Sequence, residues 1–305
     1  MNYELIIPAV QDYLLQLQAD ICLALEKEDS QEEFIQDDWL HAKSGGGKTC
    51  VLAEGQLIER AAVNFSHIVG EKLPPSATVR YPQCKTAVPF QAMGLSLVVH
   101  PRNPYVPIVH MNLRLIVLKQ ADDKGPIWWF GGGFDLTPCY AFEEDCQHWH
   151  RTAKQACDPF GQDVYLQYKK NCDSYFYLKH RKESRGIGGI FFDDVNQWDF
   201  KTCFAFIQSV GDHFLPAYIP ILRRHKAKLY GEQERQFQAY RRGRYVEFNL
   251  IYDRGTLFGL QSDGRIESIL TSMPPQASWQ YNWQAAPGSR ELELTEKFLT
   301  PQEWI

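Results

Sequence analysis

The sequence predicts an α+β fold with a large antiparallel β-sheet flanked by α-helices on both sides. Between residues 51 and 136, strand-like segments follow one another with Pro- and Gly-rich turns between them, which favours neighbouring antiparallel strands. Helical patterns lie outside that run, and such segregation is typical of an α+β fold. The chain has 305 residues, 44% of them hydrophobic, and shows no linker or repeat. A chain of this length can bury a core as one large domain or two smaller ones, and without a convincing linker we expect one domain over residues 1–305.

The first half of the chain begins with the apolar spacing of an amphipathic helix over residues 3–29, in which Leu14, Leu15, Ile21, Leu23 and Leu25 are apolar positions. A charged connection and the segment SGGGKT follow, and we expect the latter to be a flexible loop. Strands are predicted over VNFSHIVG, FQAMGLSLVVH, PIVHMNLRLIVLK and IWWFGGGFDL.

The second half predicts helices over residues 142–157 and 163–182, split by DPFG, and a strand over GIGGIFFDDV. Residues 199–242 read as helical, with interruptions near Pro216 to Pro220 and at Gly231. Three further strands, YVEFNLIYD, TLFGLQ and RIESIL, are expected to close the sheet, with SDG as a hairpin turn.

Composition narrows the class of protein. A net charge of −5 gives no indication of a nucleic-acid partner. The longest apolar stretches fall short of the ~18 residues expected of a membrane span. The acidic, helix-patterned N-terminus differs from basic signal and transit peptides, so we expect a cytoplasmic protein. Eight cysteines without a CxxC pair are expected to be reduced and mostly buried.

One strand carries polar side chains on a single face. In HPRNPYVPIVHMNLR, the residues His110, Asn112 and Arg114 alternate with apolar residues such as Met111 and Leu113. The preceding strand repeats the pattern with Ser96 and His100, and the segment 244–253 repeats it with Glu247, Asn249 and Asp253. The pattern fits either the wet face of a sheet or a functional site. Wet faces are usually rich in Lys, Glu and Thr, so these residue types favour a site.

Four other segments allow two interpretations each. The glycines of WWFGGGFDLTP indicate a bulge or the close approach of backbone or ligand, with Asp135 just beyond them. Residues 223–244 carry a local net charge of +6, as a solvated helix face or an anion-binding rim would. AKSGGGKT resembles a phosphate loop but lacks its first glycine and its strand–helix context, so a mobile loop is expected.

HWH at 148–150 has metal-ligating residue types, but residues two apart on a helix point in different directions, which favours a structural histidine.

Taken together, the longest motifs resemble the oxygen-dependent coproporphyrinogen III oxidases. The resembling segments are VNFSHIVG, GLSLVVHPRNPYVPIVHMNLR, WWFGGGFDLTPCY, EEDCQHWHRTAK, KKNCDSYFYLKHRKESRGIGGIFFDD, YRRGRYVEFNLIYDRGTLFGL and ESILTSMPP. They run from about Gly45 to the C-terminal PQEWI. The resemblance implies a cytosolic or organellar homodimer, paired through residues 245–280, with a large antiparallel sheet flanked by helices.

The resemblance also implies an activity. Such an enzyme converts two propionates of coproporphyrinogen III to vinyls in haem biosynthesis, with O2 as co-substrate, CO2 as a product and no organic cofactor. Substrate contacts are implied for Ser96, Asn112, Leu113, Arg114, Arg254, Asp263, Gly264 and Arg265. His110 matches a proposed proton donor, and Asp135 and Asp253 match residues implicated in substrate handling.

Four histidines, His100, His110, His150 and His180, match positions assigned to a divalent metal in bacterial members of that family. Four histidines without a carboxylate are unusual for a hard divalent ion. Histidines beside an anionic substrate can equally donate hydrogen bonds and protons, because their pKa lies near ~6.5. Acid–base or structural roles are favoured over a metal site.

The residues suggest a mechanism. Arginines can bind the four carboxylates of the substrate. Because a porphyrinogen is electron-rich, O2 can add to the ring directly once an aspartate, Asp253 or Asp135, holds or removes a pyrrole N–H proton. Peroxide then takes a hydrogen from the propionate, and loss of CO2 leaves the vinyl. A non-catalytic tetrapyrrole carrier would need the arginines but not the aspartates, and a nucleotide-binding protein would depend on Lys48.

Overall fold

An antiparallel sheet forms the centre of the fold. The structure is a computed structural model that describes residues 3–41, 44–71, 89–119, 125–261 and 264–305. Within those ranges the sheet has seven strands in the order β1–β2–β3–β4–β5–β6–β9, each antiparallel to its neighbour. The strands are β1 (Ile35–Leu40), β2 (Gly45–Ala53), β3 (Ile58–Gly70), β4 (Phe90–Pro101), β5 (Ile108–Leu118), β6 (Ile127–Thr137) and β9 (Gly188–Val195), and a separate small pair is β7 (Tyr177–Leu178) and β8 (Glu183–Ser184).

Helices flank the sheet, which confirms the predicted α+β class. They are α1 (Tyr3–Asp29), α2 (Glu143–Cys157), α3 (Val164–Tyr175), α4 (Phe200–Asp212), α5 (Phe214–His225), α6 (Glu232–Ile251), α7 (Arg254–Gln261), α8 (Ile266–Leu270) and α9 (Arg290–Glu293). A short 3₁₀ turn, Asp158–Phe160, follows α2, and a π-helical turn, Leu294–Phe298, follows α9. None of the helices described is both long and apolar enough to cross a membrane.

The main core lies on one face of the sheet. Leu97 of β4 and Met111 and Leu113 of β5 are almost fully buried there, in one cluster with Leu14 and Leu25 of α1. Burial of each such side chain stabilises the fold by roughly 1.5–3 kcal/mol. Because the apolar residues of β4 and β5 take this face, their polar alternates are directed to the opposite one.

The predicted strands over YVEFNLIYD, TLFGLQ and RIESIL are wrong, because these residues lie in α6, α7 and α8. The apolar alternation at 246–252 spans too few residues to exclude a helix. The buried residues Phe237, Tyr240, Arg244 and Phe248 recur every three or four positions, which is the helical period. The predicted SDG hairpin joins no strands, and residues 262–263 of that turn lie outside the described residues.

The glycine-rich segment SGGGKT is mostly strand, not a loop. Gly46 and Gly47 lie in β2, where an added Cβ would approach the carbonyl oxygens of Trp39 and Phe65 to 2.3 and 2.4 Å. Lys48 pairs with Asp38 of β1 at 3.7 Å. These glycines therefore allow close strand contacts, and the geometry does not resemble a phosphate loop.

Three smaller differences concern the helices. The break predicted near Pro216 to Pro220 falls instead at His213, and both prolines lie within α5. The helix predicted over 163–182 ends at Tyr175. On α1, Leu23 is exposed although it fits the apolar pattern. The seven described cysteines are free and buried, as expected, and Cys84 lies outside the described residues.

The glycine triplet of β6 yields a test of backbone geometry. Gly133 has φ +139°, and an added Cβ would lie 2.0 Å from the Ile190 carbonyl oxygen of β9. Gly133→Ala should therefore lower the free energy of unfolding by at least ~3 kcal/mol, measured by urea titration.

Gly288→Ala is the matched control, because Gly288 has φ +74° but no atom within 4 Å of its added Cβ. It should cost only the left-handed backbone conformation, about 1–2 kcal/mol. Equal decreases in the free energy of unfolding for Gly133→Ala and Gly288→Ala would contradict the close contact between β6 and β9.

Candidate active site

The strand register assembles the polar face. Asn64 of β3 lies opposite Ser96 of β4, which lies opposite Asn112 of β5. One row away, His110 lies opposite Asp135 of β6. These side chains therefore come from strands that are adjacent in space, as the alternation within β4 and β5 predicts.

A cavity of about 470 Å³ lies between this face and the segment from α6 to α8. Volumes of this size are typical of small-molecule sites. Of the predicted site residues, the cavity lining contains Ser96, His110, Asn112, Arg114, Asp253, Arg254, Gly264 and Arg265. The lining also contains apolar side chains, among them Trp129, Phe191 and Phe258.

Of the residues predicted to handle substrate, two do not line the cavity and a third lies outside the described residues. The side chain of Leu113 belongs to the core on the opposite face, so the expected substrate contact of Leu113 stays a prediction for its backbone alone. Asp135 lies behind His110 and is 1% exposed. Asp263 lies outside the described residues, so its expected role stays a prediction.

Asp135 links His110 to a buried arginine. His110 Nδ1 and Asp135 Oδ1 are 2.8 Å apart, and Arg185 Nη2 donates to both carboxylate oxygens of Asp135 at 2.9 and 2.8 Å. Arg185 Nη1 donates to Asn249 Oδ1 of α6 at 3.1 Å. The Arg185 guanidinium also lies 4.2 Å from the centre of the Phe176 ring and 4.6 Å from that of Tyr245.

The charge of this pair is fixed by its surroundings. Burial raises the pKa of Asp135, but the hydrogen bonds and charges of Arg185 and His110 lower it by a larger amount. The pKa of Asp135 therefore lies below its usual value. Burial lowers the pKa of Arg185, and Asp135 more than offsets this effect. An ionised Asp135 accepts a hydrogen bond from the Nδ1–H of His110, which orients the ring, keeps Nδ1 protonated and leaves proton exchange to Nε2.

Asp253 is held at the N-terminus of α7. Its Oδ2 accepts hydrogen bonds from the backbone N–H and the hydroxyl of Thr256, each at 2.8 Å, as an N-cap does. Its Oδ1 accepts from the Tyr175 hydroxyl at 2.8 Å. Burial raises the pKa of Asp253, but the Thr256 bonds, the His110 charge and the Tyr175 bond outweigh it, so the pKa is lowered and Asp253 is ionised at neutral pH.

Each arginine predicted to bind substrate contacts a carboxylate of the chain. Asp193 of β9 bridges two of them, with Oδ1 at 2.7 Å from Arg114 Nη2 and Oδ2 at 3.1 Å from Arg254 Nη1. Arg265 Nη2 lies 2.5 Å from Oδ2 of Asp37 on β1. Burial lowers the pKa of Arg114, whereas the charge of Asp193 raises it above its usual value.

The four histidines predicted to bind a metal do not form a ligand set. His100 is fully buried and contacts the Ser272 carbonyl, and His150 contacts Tyr165 and the Ile187 carbonyl within the core. His180 contacts Glu247 and Tyr252 at the surface. In the described part of the chain, no three His, Cys, Asp or Glu side chains are grouped to hold a metal ion. These residues do not fit the predicted metal site.

The basic segment 223–244 forms ion pairs instead of an anion-binding rim. Arg241 and Arg242 are buried, which rules out a fully solvated helix face. The pairs are Arg223 and Lys226 with Glu28, Arg224 with Asp145, Arg235 and Arg242 with Glu59, Arg241 with Glu183, and Arg244 with Glu247. Their positive charges therefore hold elements together.

Arg185, Asp193 and Tyr175 were not predicted as site residues. Asp193 has a weak sequence signal, because it follows two phenylalanines on a strand with an otherwise apolar pattern. Arg185 has none, since it lies between β8 and β9 and its partners are distant in sequence. Only the three-dimensional arrangement brings these residues to the cavity.

The fold and the cavity together define a protein with a small-molecule site, whose walls combine arginines and an ionised aspartate with apolar side chains. A family model described as Coproporphyrinogen III oxidase matches residues 9–304. The chain therefore belongs to the coproporphyrinogen III oxidase family, whose activity is the oxidative decarboxylation of coproporphyrinogen III in haem biosynthesis.

The Arg185–Asp135 pair predicts a strong effect on stability. Asp135→Asn leaves the charge of Arg185 buried without its partner, which should lower the free energy of unfolding by about 3–5 kcal/mol. Because the folded-state pKa of Asp135 is lowered, its contribution is complete above the unfolded pKa of about 3.9 and is lost as the pH falls through the folded value. In urea titrations, the difference in the free energy of unfolding between the two proteins should therefore stay constant from neutral pH to about pH 4 and shrink as the pH falls further.

Asp158→Asn is the control, because Asp158 pairs with Lys154 at 2.6 Å but is almost half exposed. That substitution should cost at most about 1 kcal/mol. A cost of the same size for Asp135→Asn would contradict the importance of the buried pair.

Proposed function

We propose that this protein is an oxygen-dependent coproporphyrinogen III oxidase that uses O2 as co-substrate and needs no organic cofactor. The observation that carries the proposal is that His110, Asp253 and four arginines line one cavity. A polycarboxylate held there would have an ionised aspartate and an oriented histidine within the same walls. O2 can react with the electron-rich pyrrole ring without a redox cofactor.

Substrate binding is assigned to the arginines and to nearby polar groups. Arg114, Arg254 and Arg265 would bind substrate carboxylates, because guanidinium groups bind carboxylates with charge-assisted hydrogen bonds. Ser96 and Asn112 would contact the substrate from the sheet, and the backbone at Gly264 would contact it from the opposite wall. The apolar walls suit the tetrapyrrole ring.

The reaction begins at a pyrrole nitrogen. Asp253 accepts the N–H proton, and the ring gives an electron pair to O2, which forms a C–O bond at a ring carbon. The bound peroxide then takes a proton from the propionate carbon attached to the ring, and HOO⁻ leaves with the C–O bonding pair. Asp253 is favoured over Asp135 as the base, because Asp253 lines the cavity and Asp135 is bound to Arg185 behind His110.

Decarboxylation completes the step. The C–COO⁻ bond breaks, its electrons form the vinyl double bond, and the ring nitrogen recovers its proton from Asp253. His110, oriented by Asp135, gives a proton to HOO⁻. For each propionate, RCH2CH2COO⁻ + O2 + H⁺ gives RCH=CH2 + CO2 + H2O2, so O2 is reduced and the propionate is oxidised. No step requires a metal ion.

We also propose one cytoplasmic domain over residues 1–305 that forms a homodimer through residues 245–280. Support for the dimer comes from six large apolar side chains that are exposed in that segment. They are Leu250, Ile251, Leu260, Ile266, Leu270 and Trp279. The net charge of −5 is consistent with the absence of a nucleic-acid partner.

Asp253→Asn tests the proposed base. Asparagine caps a helix as well as aspartate does, so the substitution removes the charge but keeps the cap of α7. Aerobic turnover of coproporphyrinogen III should fall at least about 100-fold, while the Kd for coproporphyrin III should change less than about threefold. A loss of affinity for coproporphyrin III as large as the loss of turnover would indicate that Asp253 has a binding role.

Asp199→Asn is the matched control, because Asp199 caps α4 through the backbone N–H and hydroxyl of Thr202, as Asp253 caps α7 through Thr256. It should leave turnover unchanged. A wild-type protein that binds coproporphyrin III but does not turn over the porphyrinogen would contradict the oxidase and indicate a carrier.

A further inference from the structure

We infer that Asp193 is an internal competitor that occupies the Arg114–Arg254 pair when no substrate carboxylate is bound. The inference rests on the proposed function, because it concerns the same cavity. The two carboxylate oxygens of Asp193 contact one arginine each, Arg114 at 2.7 Å and Arg254 at 3.1 Å. A propionate that bridges two guanidinium groups would make the same pair of contacts.

Strand β6, which lies between β5 and β9, leaves room for the ion pair between Arg114 and Asp193. A Cβ added to Gly131 of β6 would lie 2.8 Å from both Arg114 Nε and Asp193 Oδ1. Any larger residue at position 131 would therefore force the two charged side chains apart. This close approach explains the first glycine of the triplet, which the sequence left open between a bulge and an approach of backbone or ligand.

The two arginines also have contacts that do not involve Asp193. Arg114 Nη1 donates to Asn112 Oδ1 at 3.2 Å. The Arg254 guanidinium lies 4.8 Å from the centre of the Tyr175 ring and 5.6 Å from that of Phe191. These contacts hold both arginines near the cavity when Asp193 is changed. Asp193 therefore competes for the pair rather than building it.

Competition has a consequence for product release. Asp193 neutralises one of the two arginine charges, so a substrate carboxylate gains less from binding than it would at an unoccupied pair. The vinyl product keeps two propionates, and an unoccupied arginine pair would retain it. Asp193 can replace a departing carboxylate and so favours exchange.

Asp193→Asn should therefore bind carboxylates more tightly. We expect its Kd for coproporphyrin III, which carries the four carboxylates but is not turned over, to fall about tenfold, with a steeper dependence on salt. Fluorescence titration measures both quantities. An unchanged or weaker affinity would overturn the inference.

Asp38→Asn is the charge-matched control. Asp38 lies on β1, is exposed and pairs with Lys48 at 3.7 Å, away from the arginine pair. Its Kd for coproporphyrin III should equal that of the wild type. An equal gain in affinity for Asp38→Asn would show a general effect of net charge and overturn the assignment to Asp193.

Asp193→Ala gives a second readout that does not depend on the porphyrin. Acetate should occupy the vacated position between the arginines and raise the Tm of this variant above its value in chloride at the same ionic strength. The wild type should show no such difference. If the variant fails to fold in chloride, refolding in acetate should recover it, and failure in both salts would overturn the inference.

Wild-type turnover, measured on the same preparations, separates the two claims. Turnover by the wild type together with weaker binding by Asp193→Asn would contradict the inference alone. Tighter binding by Asp193→Asn without wild-type turnover would contradict the oxidase and leave Asp193 as the competitor in a carboxylate-binding site.

Discussion

The candidate site depends on one buried ion pair, between Arg185 and Asp135. Each side chain is about 2% exposed, and two charges at that depth are tolerated only because they neutralise each other. The pair joins β6 to the segment after β8 and, through Asn249, to α6. It also fixes the orientation of His110. Loss of either charge would therefore disturb the sheet, the helix above it and the histidine together.

Charge pairing extends from there across the cavity. Asp193 holds Arg114 and Arg254, and Asp37 holds Arg265, so the cavity is nearly neutral before a polycarboxylate enters. This arrangement keeps the arginines ionised and near the cavity at a low cost in repulsion. We infer that substrate carboxylates exchange with these carboxylates of the chain. Such internal competition would limit the affinity for substrate, which suits an enzyme that must release a product with two of the same groups.

Local patterns predicted strands β3 to β6 and β9 and the polar face of β4 and β5, whereas β1, most of β2 and the long-range pairing were not predicted. The alternation around His110, Asn112 and Arg114 requires only the two-residue period of a strand, and the structure follows it. The same period misassigned residues 245–253, because so short an alternation does not exclude a helix, and residues 245–251 lie in α6. Arg185 and Asp193 acquire their roles from partners 50 and 79 residues away, which no local pattern contains. The histidine metal set came from positional resemblance alone, and the side chains do not converge.

The most direct test of the account measures O2 uptake, CO2 release and vinyl formation from coproporphyrinogen III by one wild-type preparation. The preparation is stripped of metal by chelation, and its metal content is determined. We predict that metal-free protein consumes one O2 for each CO2 released and each vinyl formed, and is inactive without O2. Vinyl formation without O2, or activity that returns only with an added metal ion, would contradict it.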